Sequence, residues 1–150
     1  MSHAYYDTIL LVERLHRHFL EVIKVDLDRR GIQDINNVQA LILYNLSDDE
    51  MTVGELTARG YYLGSNVSYN VKKMFDAGYL LQERSPHDRR SVRVKLSEKG
   101  LELRTQLKTH FEKQITMLPG VDLASDELLR SIDTLKKLER LWTTVINYRA

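Results

Sequence analysis

Residues 64–96 read GSNVSYNVKKMFDAGYLLQERSPHDRRSVRVKL. Gly64 breaks the preceding segment, and Ser65 can cap a new helix by accepting a hydrogen bond from a free N–H of its first turn. Val67, Val71, Met74 and Phe75 recur at helical spacing and form one apolar face. Between them lie Asn66, Ser68, Tyr69, Lys72 and Lys73, which donate hydrogen bonds or carry positive charge. Gly78 supplies the left-handed residue that ends a helix. Tyr79, Leu80 and Leu81 then read as a strand, Ser85 to Ser91 as a polar tip with Pro86 as turn former, and Val92, Val94 and Leu96 as a second strand alternating with Arg93 and Lys95. A short basic helix followed by a hairpin with an arginine-rich tip has the outline of a winged helix, and that outline suits the holding of DNA.

The charge distribution agrees. The formal net charge of the 150 residues is only +1, yet Arg59 to Lys95 contains 8 basic and 3 acidic residues while the remainder has an acidic excess. A positive patch of this kind is the electrostatic footprint of a nucleic-acid binder, and the overall isoelectric point hides it.

Composition excludes other classes. There is no cysteine, which removes disulfides, zinc–thiolate sites and thiol redox sensing. No apolar run approaches the roughly 20 residues of a membrane span. The start, MSHAYYD, lacks the charged region and cleavage site of a signal peptide, so a soluble cytoplasmic protein without membrane association is expected. A phosphate-binding Gly-Lys-Ser loop and a His-Glu metal helix are missing from the sequence, and the paired Asp48-Asp49 reads as a solvated turn. His16 and His18, two apart on a helix, point to different faces and do not chelate one ion readily. No enzyme, no metal and no cofactor is therefore expected.

The rest of the chain is mostly helical, with 2 Pro and 7 Gly. A long amphipathic helix spans Tyr5 to Arg30, with Ile9, Val12, Leu15, Phe19, Val22 and Ile23 on one stripe and Gly31 as its stop. Asn36 and Gln39 form a capping box for a helix whose buried face is Val38, Leu41, Ile42 and Leu46. Thr52 and Glu55 form a second box for a short helix presenting Val53, Leu56 and Ala58. That helix and the one from Ser65, joined by a glycine-bearing turn, make a helix-turn-helix candidate. Ser97 caps a further long helix carrying Leu101, Leu103, Leu107, Phe111, Ile115 and Leu118, broken by Pro119-Gly120. Asp122 to Asp126 offers caps for a last helix to about Tyr148, where Leu128, Ile132, Leu135, Leu138, Trp142 and Val145 keep a coiled-coil-like spacing. Such striped end helices can pair with those of a second copy to give a two-fold dimer with two readers.

At the wing the chain reads Asp88-Arg89-Arg90-Ser91-Val92-Arg93-Val94-Lys95-Leu96-Ser97-Glu98-Lys99-Gly100. This resembles the signature of the multiple-antibiotic-resistance regulator (MarR) family: D-x-R at the tip, an alternating strand, then L-[ST]-x-x-G. Thr52-Val53-Gly54-Glu55-Leu56 is similar to the start of that family's first reader helix, and Asp76-Ala77-Gly78-Tyr79-Leu80 to the passage from recognition helix into wing. The resemblance spans nearly the whole chain. It implies one domain over 1–150: a winged helix-turn-helix core at 36–96, mostly α with a small β-hairpin wing, flanked by dimerisation helices at 1–31 and 97–150. It also implies a sequence-specific, homodimeric transcriptional regulator, usually a repressor. In that family a pseudo-palindromic double-stranded operator is bound and a small aromatic effector often releases it. Two features depart from the family pattern: the Gly- and Tyr-rich lead-in Arg59 to Gly64, and Tyr69 where Arg or another polar residue is frequent.

The expected DNA contacts follow. On the recognition helix they are Ser65, Asn66, Ser68, Tyr69, Lys72 and Lys73: Asn pairs bidentately with adenine, and Lys approaches guanine or phosphate. On the wing they are Arg84, Asp88, Arg89, Arg90 and Arg93, with Arg90 entering the minor groove and Asp88 holding it. The resemblance places an effector pocket near Leu15, His16, Phe19, Leu41, Tyr44 and Phe111, although periodicity alone reads these as core or interface. The competing reading is a helical protein-interaction module that keeps the winged-helix scaffold without DNA binding.

Overall fold

The computed structural model describes residues 2–46, 51–52, 54–56, 64–84 and 92–148. The chain divides into two compact units, Met1–His110 and Phe111–Ala150.

In the first unit, α1 spans Ser2–Arg29. It stops where Gly31 takes a φ of 72°, and the amides of Gly31 and Ile32 fold back to the carbonyls of Asp28 (3.1 Å) and Leu27 (3.0 Å). This closure satisfies carbonyls that would otherwise end the helix unpaired. Only the last turns of α1 are buried, through Ile23, Asp26 and Leu27. Asp26 is a buried carboxylate that sequence patterning does not reveal. Arg30 Nε lies 3.0 Å from one of its oxygens and His110 Nδ1 3.3 Å from the other, so its burial is compensated by ionic and hydrogen-bonding partners.

Helix α2 spans Asn37–Asn45, and its capping box is formed as expected. The Gln39 amide donates to Asn36 Oδ1 (2.8 Å), and the Asn36 amide donates to Gln39 Oε1 (2.9 Å). Gln39 to Leu43 are all buried, so the middle of α2 is enclosed on every side rather than on the single face expected, while Val38 is half-buried and Asn45 exposed at its ends. At its other end the Arg104 guanidinium donates to the Leu46 carbonyl (3.1 Å), placing positive charge where the helix dipole is negative.

Strands β1 (Met51–Thr52), β2 (Leu80–Arg84) and β3 (Val92–Leu96) form an antiparallel sheet in the order β1-β3-β2. Strand β1 was not expected. Two residues carry no alternation, and only pairing with Val94 and Arg93 makes them a strand. Thr52 nevertheless acts as the expected cap, with Oγ1 accepting from the Glu55 amide at 3.0 Å, and Leu56 is buried. Val53, Ala58 and residues 59–63 lie outside the described residues. The hairpin is as expected, with its register running from Leu80 opposite Leu96 to Arg84 opposite Val92. Between β1 and β2 lies α3, Gly64–Asp76. It already includes Ser65, which is therefore a helical residue and not the residue preceding the helix. Helix α4, Glu98–Ile115, begins after Ser97, whose Oγ accepts from the Gly100 amide at 3.1 Å.

In the second unit the expected helix to Leu118 ends earlier, at Ile115, and a 3-10 turn occupies Leu118–Val121. Pro119 lacks the amide that would continue the α-helix. Helix α5 spans Ser125–Asn147. Its cap position is Ala124, with no side-chain cap bond, so the Asp122 to Asp126 caps expected from sequence are not used. Asp122 is instead the left-handed residue closing the 3-10 turn, with φ 55°. None of the described residues of α5 is buried.

Candidate nucleic-acid interface

Helix α3 separates two faces. Val67, Val71 and Met74 are essentially inaccessible, while Asn66, Ser68, Tyr69, Lys72 and Lys73 are exposed. At about 100° per residue the three buried positions cover a narrow arc. Phe75, expected on the apolar face, falls at its margin and is 42% exposed. Tyr69 is 61% exposed, and Lys73 Nζ stands 5.7 Å from its ring centroid. The ring thus lies under a cation one turn away, a contact that orders both side chains.

Gly78 ends α3 with a φ of 86°, and the amides of Gly78 and Tyr79 return to the carbonyls of Phe75 (3.0 Å) and Met74 (2.9 Å). The chain is thereby turned directly into β2. Arg84 and Arg93 are exposed, whereas Val94 and Leu96 of β3 are buried. Lys95 is half-buried, with Nζ 3.8 Å from Glu83 on β2. Asp88, Arg89 and Arg90 lie outside the described residues, and so does the Ser65 side chain.

The base of the wing is held by a polar cluster that motif reading did not assign. Asp34, in the loop after α1, accepts a hydrogen bond from the Tyr79 hydroxyl (2.7 Å) and an ion pair from Lys99 Nζ (2.7 Å). Lys99 Nζ also donates to the Ala77 carbonyl (2.8 Å) and lies 4.3 Å from the Tyr79 ring centroid. Burial alone would raise the Asp34 carboxyl, but the bonds from Lys99 and Tyr79 and the Lys99 charge outweigh it and hold the group below its ordinary value. Burial, reinforced by the hydrogen bond to Asp34 and the charge of that carboxylate, pushes the Tyr79 phenol upward. The cluster joins the end of α3, the first residue before β2 and the start of α4 to the α1–α2 loop. It fixes where α3 and the hairpin stand against the first unit's core.

A second residue that sequence reading missed is Asn70. It is half-buried on α3 and accepts a hydrogen bond from Gln39 Nε2 at 3.2 Å. A polar residue between two apolar neighbours is the one available signal, and it does not specify a partner.

The residues expected to meet an effector are spread over different environments. Leu15 (57% exposed), His16 and Phe19 lie on the exposed part of α1, Leu41 is buried and Tyr44 half-buried in α2, and Phe111 belongs to the second unit. Two cavities of about 230 and 240 Å³ occur elsewhere in the first unit. One is lined by Arg30, Tyr79, Lys99 and Gln106. The other is lined by Lys24, Asp28, Gln33 and Asn36. Among the described residues no group of three or more His, Asp or Glu side chains could hold a metal ion, and no helix is long and apolar enough to cross a membrane.

A two-faced helix opening into a hairpin whose base is locked to the core defines a winged-helix DNA-binding protein. A family model described as a winged helix DNA-binding domain matches residues 35–100. The chain is 34% identical over 145 residues to the exopolysaccharide II synthesis transcriptional activator ExpG of Rhizobium meliloti (strain 1021), covering 97% of this chain and 75% of ExpG. Among solved structures it is similar to AbsC, a MarR family transcriptional regulator from Streptomyces coelicolor, with 25% identity and a TM-score of 0.74, covering 94% of this chain and 93% of AbsC. The fold is also that of Staphylococcus aureus MarR in complex with salicylate and kanamycin, with TM-score 0.77, 18% identity, and 95% and 93% of the two chains covered. The protein belongs to the MarR family of winged-helix transcriptional regulators. It is a DNA-binding regulator of transcription and not an enzyme.

Proposed function

We propose that the protein acts in the cytoplasm as a homodimeric repressor that occupies a pseudo-palindromic operator and is released by a small aromatic effector. The observation that carries this reading is the split of α3: its inner face is sealed by Val67, Val71 and Met74, so Asn66, Tyr69, Lys72 and Lys73 face outward together. Ser68 extends that face, and Ser65 is assigned with it to the DNA contacts. Arg84, Arg89 and Arg93 supply the wing's contacts to phosphate, and Arg90 enters the minor groove with Asp88 holding it.

Dimerisation is supported by α5. Ile132, Leu135 and Val145 are between 46% and 62% exposed, and an apolar stripe left open on a helix calls for a partner. A second copy of the chain is the partner that also explains a palindromic site, because a two-fold dimer places two readers about one helical turn apart. The effector would act by binding better to the dimer whose readers are wrongly spaced. The salicylate bound to the staphylococcal MarR supports this chemistry. In the first unit the effector residues we assign are Leu15, His16, Phe19, Leu41 and Tyr44.

The test is a fluorescence-anisotropy titration of the DNA upstream of the protein's own gene at several salt concentrations, with and without salicylate. Tight, salt-dependent binding weakened by salicylate is expected; weak binding indifferent to salt would sink the reading. A second reading, transcriptional activation from the same operator, is favoured by the similarity to ExpG, which is an activator. A promoter fusion measured with and without the gene separates the two, because repression raises and activation lowers expression on deletion.

A further inference from the structure

We infer that Asn70 is a positioning residue: held by Gln39, it fixes the rotation of α3 about its own axis and so selects which outward side chains meet the bases. The inference deepens the proposed function and rests on α3 being the base-reading helix.

The inner face of α3 is Val67, Val71 and Met74, all fully buried. Apolar contacts of this kind are non-directional, so they hold the helix in place without specifying its rotation to within a fraction of a turn. Asn70 sits at the border between the two faces. Met74 lies one turn ahead of it on the buried side, and Asn66 one turn behind it on the exposed side.

Its partner cannot follow it. Gln39 is 5% exposed, and both ends of its side-chain amide are engaged. Oε1 accepts the Asn36 amide at 2.9 Å, and Nε2 donates to Asn70 Oδ1 at 3.2 Å. The Gln39 backbone amide is bonded to Asn36 Oδ1 at 2.8 Å, so the first turn of α2 is closed from both directions. A rotation of α3 that carries Asn70 away would strand a buried N–H donor, which protein interiors do not tolerate. The side chain that caps α2 thus also serves as a stop for α3.

Gln39 belongs to α2 and is buried, so it does not touch DNA. A change there can alter sequence preference only through α3, which separates positioning from direct contact. The experiment selects bound sequences from a randomised duplex library with the wild type and with Asn70→Leu, Gln39→Met and Gln39→Glu. It then measures affinity for the wild-type consensus and for random duplex, together with melting temperature.

We expect Asn70→Leu and Gln39→Met to reduce the ratio of consensus to random affinity by about tenfold, as a lost site of discrimination does. Affinity for random duplex should stay within about twofold, since the phosphate contacts are unchanged. Gln39→Glu should restore the consensus, because its carboxylate still accepts the Asn36 amide and can accept from Asn70 Nδ2 once that amide turns over. A change of preference with Asn70→Leu but not with Gln39→Met overturns the inference and makes Asn70 a direct DNA contact. Equal loss of consensus and random binding with Gln39→Met, or an unaltered consensus in both variants, overturns it as well. A wild type that enriches no sequence overturns the base-reading assignment of α3 itself.

Discussion

A Cβ on residue 100 would fall inside the contact distance of the Tyr79 carbonyl oxygen and also press on Leu96. The start of α4 therefore rests directly on the base of the wing, and the same carbonyl accepts the Ser97 amide at 3.0 Å. The final glycine of the L-[ST]-x-x-G pattern is required here by space. Gly100→Ala should destabilise the fold by about 2 kcal/mol, the usual cost of forcing extra volume into a packed contact. Urea denaturation checks this, and stability unchanged within error would show that the backbone yields without cost.

The Asp34–Tyr79–Lys99 cluster predicts a dependence on pH at both extremes. The folded Asp34 carboxyl titrates below its ordinary value. The stability it contributes is therefore present above the unfolded value of about 4 and is lost as pH falls through the lower folded value. The Tyr79 phenol titrates above its ordinary value, so its contribution holds below about pH 10 and declines above that, as the unfolded chain ionises first. Denaturation midpoints should fall at both ends. Asp34→Asn should flatten the acid limb, and Tyr79→Phe the alkaline one. An acid limb as steep in Asp34→Asn as in the wild type would assign that limb to other carboxylates.

Lys72 and Lys73 share an exposed helix face but not a setting, since Lys73 lies against the Tyr69 ring. If each neutralises a phosphate, Lys72→Ala and Lys73→Ala should each lower the slope of log K against log salt by about one. Tyr69→Ala should lower affinity while leaving that slope nearly unchanged. A full slope in both lysine variants would place α3 away from the DNA backbone.

The exposed stripe of α5 gives a prediction about assembly. Leu135 is 50% exposed, and Leu135→Glu puts a charge in the middle of the stripe. Light scattering on the purified protein should show the mass fall from dimer to monomer, with operator affinity falling at least tenfold because the two half-sites are no longer bound as one event. A monomeric wild type, or an undisturbed dimer in the variant, would move the interface elsewhere.

Much of this architecture was legible in local chemistry. The capping pairs Asn36–Gln39 and Thr52–Glu55, the stop at Gly78 and the alternation of Val92, Val94 and Leu96 each act over a few residues and are found where patterning placed them. What escaped depends on partners distant in the chain. Strand β1 exists because β3 lies beside it, and Asp26 is buried because His110 and Arg30 reach it. Asp34 and Asn70 acquire their roles from Lys99, Tyr79 and Gln39. The exposed side chains of α3 are legible as a set, but Phe75 falls at the margin of the apolar face and not within it, because helical spacing does not tell how wide an arc the core will cover.

The hairpin register separates what holds the wing together from what the wing displays. The pairs from Leu80–Leu96 to Arg84–Val92 are made by backbone atoms of residues 80–84 and 92–96, and their base is tied down by Ser97, whose hydroxyl donates to the Gly78 carbonyl at 2.5 Å. None of those bonds requires a particular side chain in the segment 85–91. The paired strands are therefore specified by residues outside that segment. What the wing presents to a duplex and what holds the wing together are thus separate properties of the same hairpin.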